Sequence, residues 1–152
     1  MKIEEQLKVM GITLGEVPKP VAAYVPAVKS GGFVYVSGQL PTVNGQLQYI
    51  GHLGQELTEA EGYEAAKLCV LNALSVLKGL LGDLDEIEQI VKLTGFVASA
   101  PGFTAQPKVV NGASELLGTL FGERGQHARS AVGVAELPLN APVEIELIAK
   151  IK

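Results

Sequence analysis

The chain has 152 residues, 47% hydrophobic and 18% charged, with a net charge of −4. That composition suits one domain, residues 1–152, with a real core; it excludes a disordered chain and two full-sized domains. The acidic balance argues against nucleic acid as a partner, because such binding rests on Lys and Arg contacts to phosphate.

The opening MKIEEQLKVMG carries acidic residues and no long apolar stretch, so no signal peptide is expected. Ile3, Leu7 and Met10 recur at helical spacing and Gly11 stops the run, which makes residues 1–20 a helical extension with an irregular end from Gly15 to Pro20. Ala22 to Val28 reads as a strand, Lys29 to Gly32 as a hairpin turn, and Phe33 to Ser37 as the returning strand. A polar, Gly-rich connection follows from 42 to 57, with one short strand near Leu47 to Ile50.

Thr58 and Glu61 form a capping box, and the spacing predicts a helix from 59 to about 80. Ala66, Val70, Ala73, Leu77 and Leu80 mark its buried face and Gly82 closes it. Cys69 borders that stripe and reads as a core residue. Asp83 to Glu86 is a turn and Gln89 to Ala98 a strand. A second long helix runs from about Gln106 to Phe121, with Val109, Val110, Ala113, Leu117, Leu120 and Phe121 as its apolar stripe. Two strands around a turn near Asn140 end the chain, and strict alternation from Val143 to Ile151 is the clearest pattern in it.

The order predicts an α+β, two-layer fold: a mixed sheet with both long helices on one face, plus the short N-terminal helix. The small residues Ala131, Gly133 and Ala135 suggest that the other face admits a second copy. No apolar run reaches membrane-spanning length, and a lone cysteine leaves no internal disulfide framework, so a cytoplasmic protein is expected. His52, His127 and Cys69 lie too far apart for metal-ligand spacing, and neither a dinucleotide fingerprint nor a P-loop is present.

Several of these residues together resemble one family. Tyr24 in AAYVPAVK, Ser37-Gly-Gln-Leu-Pro41, Val109-Val110-Asn111, Ala128-Arg-Ser130, Leu137-Pro138 and Val143-Glu-Ile-Glu146 fall in the order and near the spacing of the Rid family, the reactive intermediate deaminases. The resemblance covers most of residues 22 to 151. It implies a chorismate-mutase-like fold, a homotrimer with clefts between subunits, and hydrolysis of 2-imino or enamine acids to 2-oxo acids and ammonia, with no cofactor and no metal.

It also implies roles. Arg129 would grip the substrate carboxylate and Glu144 would position and activate the water. Tyr24, Ser37, Gly38 and Asn111 would line the pocket. Ala131 stands where many members have cysteine, and His127 where many have proline. The 42–57 connection and the N-terminal helix place the chain in a longer subgroup.

The chemistry of these residue types fits such roles, each beside a plainer alternative. A guanidinium presents a permanently charged planar fork that grips a carboxylate by two bonds; Arg129 could equally be an interface ion pair. A carboxylate shielded in a cleft suits general base work; Glu144 and Glu146 could equally form a solvated face. Asn111 is mildly unfavourable inside a helix, which hints at a compensating bond. Tyr24 is pocket wall or half-buried packing. His127 shares a strand face with Arg129 and is an acid or a rim residue.

If the last two strands pair around Asn140, Glu144 sits beside Glu136 and Arg129 near Ile151. Arg129 and Glu144 then share a site most easily when two subunits supply them. Besides the deaminase, two other functions are compatible with the sequence: a non-catalytic holder of small carboxylic metabolites or of a protein partner, and a ribonuclease. The acidic balance and the lack of paired histidines make the last the weakest.

Overall fold

The computed structural model describes residues 2–18 and 23–152. Thr58 opens its longest helix, α2, Glu59–Leu81: the Thr58 side chain accepts from the Glu61 N–H while the Glu61 carboxylate accepts from the Thr58 N–H. The capping box read in the sequence is therefore present, and it satisfies two donors that a helix start would leave orphaned. Three other parts of the fold precede α2. These are α1, Lys2–Val9; the strands β1, Ala27–Ser30, and β2, Phe33–Gln39; and a small ribbon of β3, Thr42–Val43, and β4, Gln46–Leu47. After it come β5, Ile87–Ala98; α3, Gln106–Phe121; β6, Ala128–Val134; and β7, Val143–Ile151.

The main sheet has the order β1-β2-β7-β5-β6. β5 and β6 run parallel, and the other neighbours are antiparallel. The helices α2 and α3 cover one face. Ala66, Val70, Ala73 and Leu77 of α2 and Val109, Ala113 and Leu117 of α3 meet Val34, Leu93, Val97, Ile145 and Leu147 of the sheet in one core. This is the mixed-sheet, two-layer α+β arrangement expected from the sequence.

Several local expectations need correction. The first strand begins at Ala27 and runs through Ser30, because the turn is only Gly31-Gly32, both at positive φ, with Ser30 facing Phe33. A two-residue hairpin turn of type I′ needs that conformation at both positions. Ala22 lies outside the described residues. The strand expected near Leu47 to Ile50 is replaced by the β3–β4 ribbon, which turns on Asn44-Gly45, again both at positive φ. Leu80 is exposed, while Leu81 next to it packs against the core, and Met10 lies beyond the end of α1.

The largest correction concerns the end of the chain. β6 and β7 do not pair; β5 lies between them. The helix α3 returns the chain alongside β5 in the parallel sense, a crossover rather than a hairpin. The segment 135–142 then spans β5 to start β7. Arg129 accordingly faces Leu93, and Glu144 faces Phe96.

The 42–57 connection is tied down rather than loose. Asn72 of α2 donates to the carbonyls of Leu40 and Thr42, each at 2.9 Å. Gly51 N–H donates to the Asn140 carbonyl, and Leu53 forms a short parallel bridge with Ser99. His52 sits between Glu56, at 3.1 Å, and Glu136, at 3.0 Å, and so joins the connection to the chain just after β6. The hydrogen bond to Glu56 is the main cause that raises the His52 pKa.

At the other end of the molecule, Asp85 accepts from the N–H groups of Lys2 and Ile3, and Glu4 accepts from the N–H of Leu84. These bonds cap α1 against the turn before β5. They bring Glu4, Asp83 and Asp85 within 4.8 Å of one another, a carboxylate grouping that sequence spacing does not reveal. Among the described residues, no helix is long and apolar enough to cross a membrane.

Candidate functional site

The edge strand β6 turns its alternate residues Arg129 and Ala131 towards α3, and His127, just before the strand, continues that period of two. Arg129 donates through Nη1 to Asn111 Oδ1 at 2.8 Å and to Ser114 Oγ at 3.1 Å. Its Nη2 donates to the Pro107 carbonyl at 3.2 Å. Residues 107, 111 and 114 lie on one face of α3 because helical neighbours recur every three or four positions. Asn111, unfavourable by propensity, thus accepts a charge-assisted hydrogen bond at its mid-helix position.

His127 joins the same group. Its Nδ1 lies 2.6 Å from the Gly125 carbonyl and its Nε2 2.9 Å from Ser114 Oγ. The side chains of Arg129, Asn111 and His127, picked from the sequence, therefore meet in one place. Ser114 and the Pro107 carbonyl were missed. The signal for Ser114 was available: a hydroxyl three residues after Asn111 on a helix shares its face.

Gly133 belongs to this side as well, since a Cβ there would stand 2.7 Å from Gln106 Nε2. The small residues Ala131 and Gly133 thus make room for α3, which corrects their expected place on the open face. The open face carries Val132 from β6 instead, together with Val28 of β1 and Tyr35 of β2, all exposed.

A second group forms around Glu144 of β7. The ladder between β2 and β7 is irregular between Val36 and Gln39. At that irregularity Gly38 comes under Glu144, where a Cβ would stand 2.8 Å from the carboxyl Cδ and Oε2. Gly38 therefore neighbours Glu144 through its backbone. The Ser37 hydroxyl is committed elsewhere, donating to the Val25 carbonyl at 2.8 Å. Tyr24 lies just before that carbonyl and is exposed. Burial, followed by the nearby negative charge of Glu146, pushes the Glu144 pKa up.

The two groups stand on opposite faces of the sheet. Leu93, the partner of Arg129, points into the helix-covered core; Phe96, the partner of Glu144, is three residues on and points the other way. Their separation is about 10 Å along the strands and about 10 Å across them. The register expected from a β6–β7 hairpin is wrong; within one chain Arg129 and Glu144 lie on opposite faces of the sheet.

Residues 4–151 match the family model described as "YjgF/chorismate mutase-like, putative endoribonuclease". The chain belongs to the YjgF family. Protein TCP17 of Trypanosoma cruzi is 44% identical over 151 residues, covering 99% of this chain and 94% of that one. Another member, 2-iminobutanoate/2-iminopropanoate deaminase of Dermatophagoides farinae, is 31% identical over 135 residues, covering 89% and 91%. A crystal structure of the protein Atu1372 from Agrobacterium tumefaciens is similar with a TM-score of 0.92 and 47% identity, covering 99% and 94%. The YjgF assignment agrees with the resemblance read from the residue pattern and with the observed sheet and helix arrangement. The family carries both deaminase and endoribonuclease names, so the reaction has to be argued from the side chains.

Proposed function

We propose that this protein hydrolyses reactive 2-imino or enamine acids to 2-oxo acids and ammonia, without cofactor, in clefts between the subunits of a cytoplasmic homotrimer. One observation carries the reading. A guanidinium has five N–H donors, and among the described residues three of those on Arg129 are engaged by α3. That leaves Nε–H and one Nη2–H, two donors on neighbouring nitrogens of a group already held in place. A carboxylate oxygen pair fits such a fork.

The opposite-face placement of Arg129 and Glu144 supports the shared-cleft part of the proposal. A second copy must bring its Glu144 to the ligand that Arg129 holds. The exposed apolar side chains Val28, Tyr35 and Val132 on the uncovered sheet face give such copies a surface to bury.

The chemistry then needs few parts. Arg129 holds the carboxylate next to the C=N carbon, which orients that carbon towards a bound water. Glu144 accepts a proton as the water oxygen bonds to the carbon and returns it to the imine nitrogen, so that a tetrahedral amino alcohol forms. Glu144 then takes the hydroxyl proton and passes it to the amino nitrogen; the C–N bond breaks, the C=O bond of the 2-oxo acid forms, and ammonia leaves. A carboxylate with a raised pKa suits both halves of that exchange. The name of the Dermatophagoides farinae relative is consistent with this reaction.

The test is release of ammonia and 2-oxo acid from an imino acid generated in situ, with light scattering on the same sample. Acceleration by a trimer is expected. Absence of acceleration across a panel of imino acids, with carboxylates still bound, would favour the second reading: a binding protein that uses the same clefts without turnover.

A further inference from the structure

We propose that Ser114 is the positioning residue of the carboxylate site: its hydroxyl fixes the guanidinium of Arg129 and bonds Nε2 of His127, whose tautomer the Gly125 carbonyl sets. The proposal rests on the carboxylate-gripping role of Arg129 and adds what holds that grip in register.

Donors and acceptors along this run decide where each proton sits. The Gly125 carbonyl can only accept, so the contact at 2.6 Å puts the proton of neutral His127 on Nδ1. Nε2 is then an acceptor. Arg129 can only donate, so Ser114 Oγ accepts from Nη1 at 3.1 Å. The hydroxyl proton remains, and the one acceptor facing it is His127 Nε2 at 2.9 Å. Every group in the run Arg129, Ser114, His127, Gly125 has a partner of the right sense. The opposite tautomer would set the Nδ1 lone pair against the Gly125 carbonyl and leave the Ser114 hydroxyl proton without that acceptor.

The consequence separates two roles that sequence left open for His127. With Nδ1–H on a backbone carbonyl and Nε2 on Ser114, the imidazole offers neither a free proton nor a free lone pair to a ligand. It acts as a strut behind the serine. Ser114 in turn supplies one of the two acceptors on Nη1, the other being Asn111 Oδ1, and so restricts rotation of the guanidinium about its long, flexible stem. Preorganisation of this kind appears as affinity, because the cost of ordering the arginine is met before the ligand arrives.

The experiment compares Ser114→Thr and Ser114→Val, which have nearly the same shape and differ by the hydroxyl, in the full-length protein. Calorimetry with pyruvate measures the carboxylate grip, and the imidazole ¹⁵N resonances of His127 report its tautomer and the bond at Nε2. We expect the threonine variant to match the parent. The valine variant should bind pyruvate about tenfold more weakly, the usual worth of one hydrogen bond to a charged group. It should also move the Nε2 resonance towards the value of an unbonded lone pair. Equal pyruvate affinity in the two variants would overturn the proposal, as would a His127 spectrum that Ser114→Val leaves unchanged. If the parent itself binds no pyruvate, the carboxylate reading of Arg129 fails, and the ¹⁵N spectrum alone still decides whether Ser114 orders His127.

Discussion

Gly38 packs directly beneath the carboxyl group of Glu144: a methyl in place of its hydrogen would stand 2.8 Å from both Cδ and Oε2, and 3.0 Å from Cγ. Carbon atoms do not approach that closely, so any side chain at 38 displaces the carboxylate. The displaced atoms are the far end of a flexible side chain, and the backbone conformation at Gly38 needs no left-handed turn. Gly38→Ala should therefore keep the fold, with a melting temperature within a few degrees of the parent's. If Glu144 holds the water, imine turnover should drop by roughly 100-fold, the cost of misplacing a reacting group by about an ångström. A variant that melts with the parent and turns over with it would mean that the Glu144 carboxylate can sit anywhere.

Arg129→Lys tests the other end of the ligand. Lysine keeps the charge but is a point donor that cannot span Asn111, Ser114, the Pro107 carbonyl and a carboxylate at once. Pyruvate affinity measured by calorimetry should fall by about 10- to 100-fold, as expected when charge-assisted bonds worth ~1.5–3 kcal/mol are lost. Equal affinity would make Arg129 a tie between β6 and α3 and nothing more.

The raised pKa of Glu144 has a signature in stability. Burial first, and Glu146 second, disfavour its charged form in the folded chain. The native state then holds a proton that the unfolded state has already released, so stability falls as pH rises through the interval from the ordinary Glu pKa to the raised folded value. Glu144→Gln removes that cost. The variant should melt above the parent at pH 8, and the gap should close as pH is lowered through the ordinary carboxylate range. Scanning calorimetry at several pH values checks this. A gap that is independent of pH, or that widens in acid, would show that the carboxylate is not destabilised by folding.

Much of the architecture could be read from local pattern because local physics decides it. The capping box at Thr58 and Glu61, the apolar stripe of α3 and the alternation of β7 each follow from neighbours in sequence. The Asn44-Gly45 turn carries a strong local hairpin signal, but it sits in a polar stretch without apolar alternation to mark its strands. The pairing of β6 with β5 was not local. It depends on how α3 packs and returns the chain, and the turn residues near Asn140 suggested a hairpin that the sheet does not contain. For the same reason Arg129 and Asn111 could be named singly, while Ser114 needed the contact between β6 and α3 to become visible.

The most direct measurement is the rate at which Glu144→Gln hydrolyses an imino acid generated in situ, set beside its affinity for pyruvate. The swap keeps size and an acceptor oxygen but removes the base. The account predicts a fall in turnover of roughly 10²- to 10⁴-fold, the usual worth of a positioned general base. Pyruvate binding should be nearly unchanged, since Arg129 makes that contact at the other end of the ligand. Loss of rate with retained binding marks an interaction used in the transition state. Undiminished turnover by the glutamine variant would contradict the account, because the water would then be activated by some group other than Glu144.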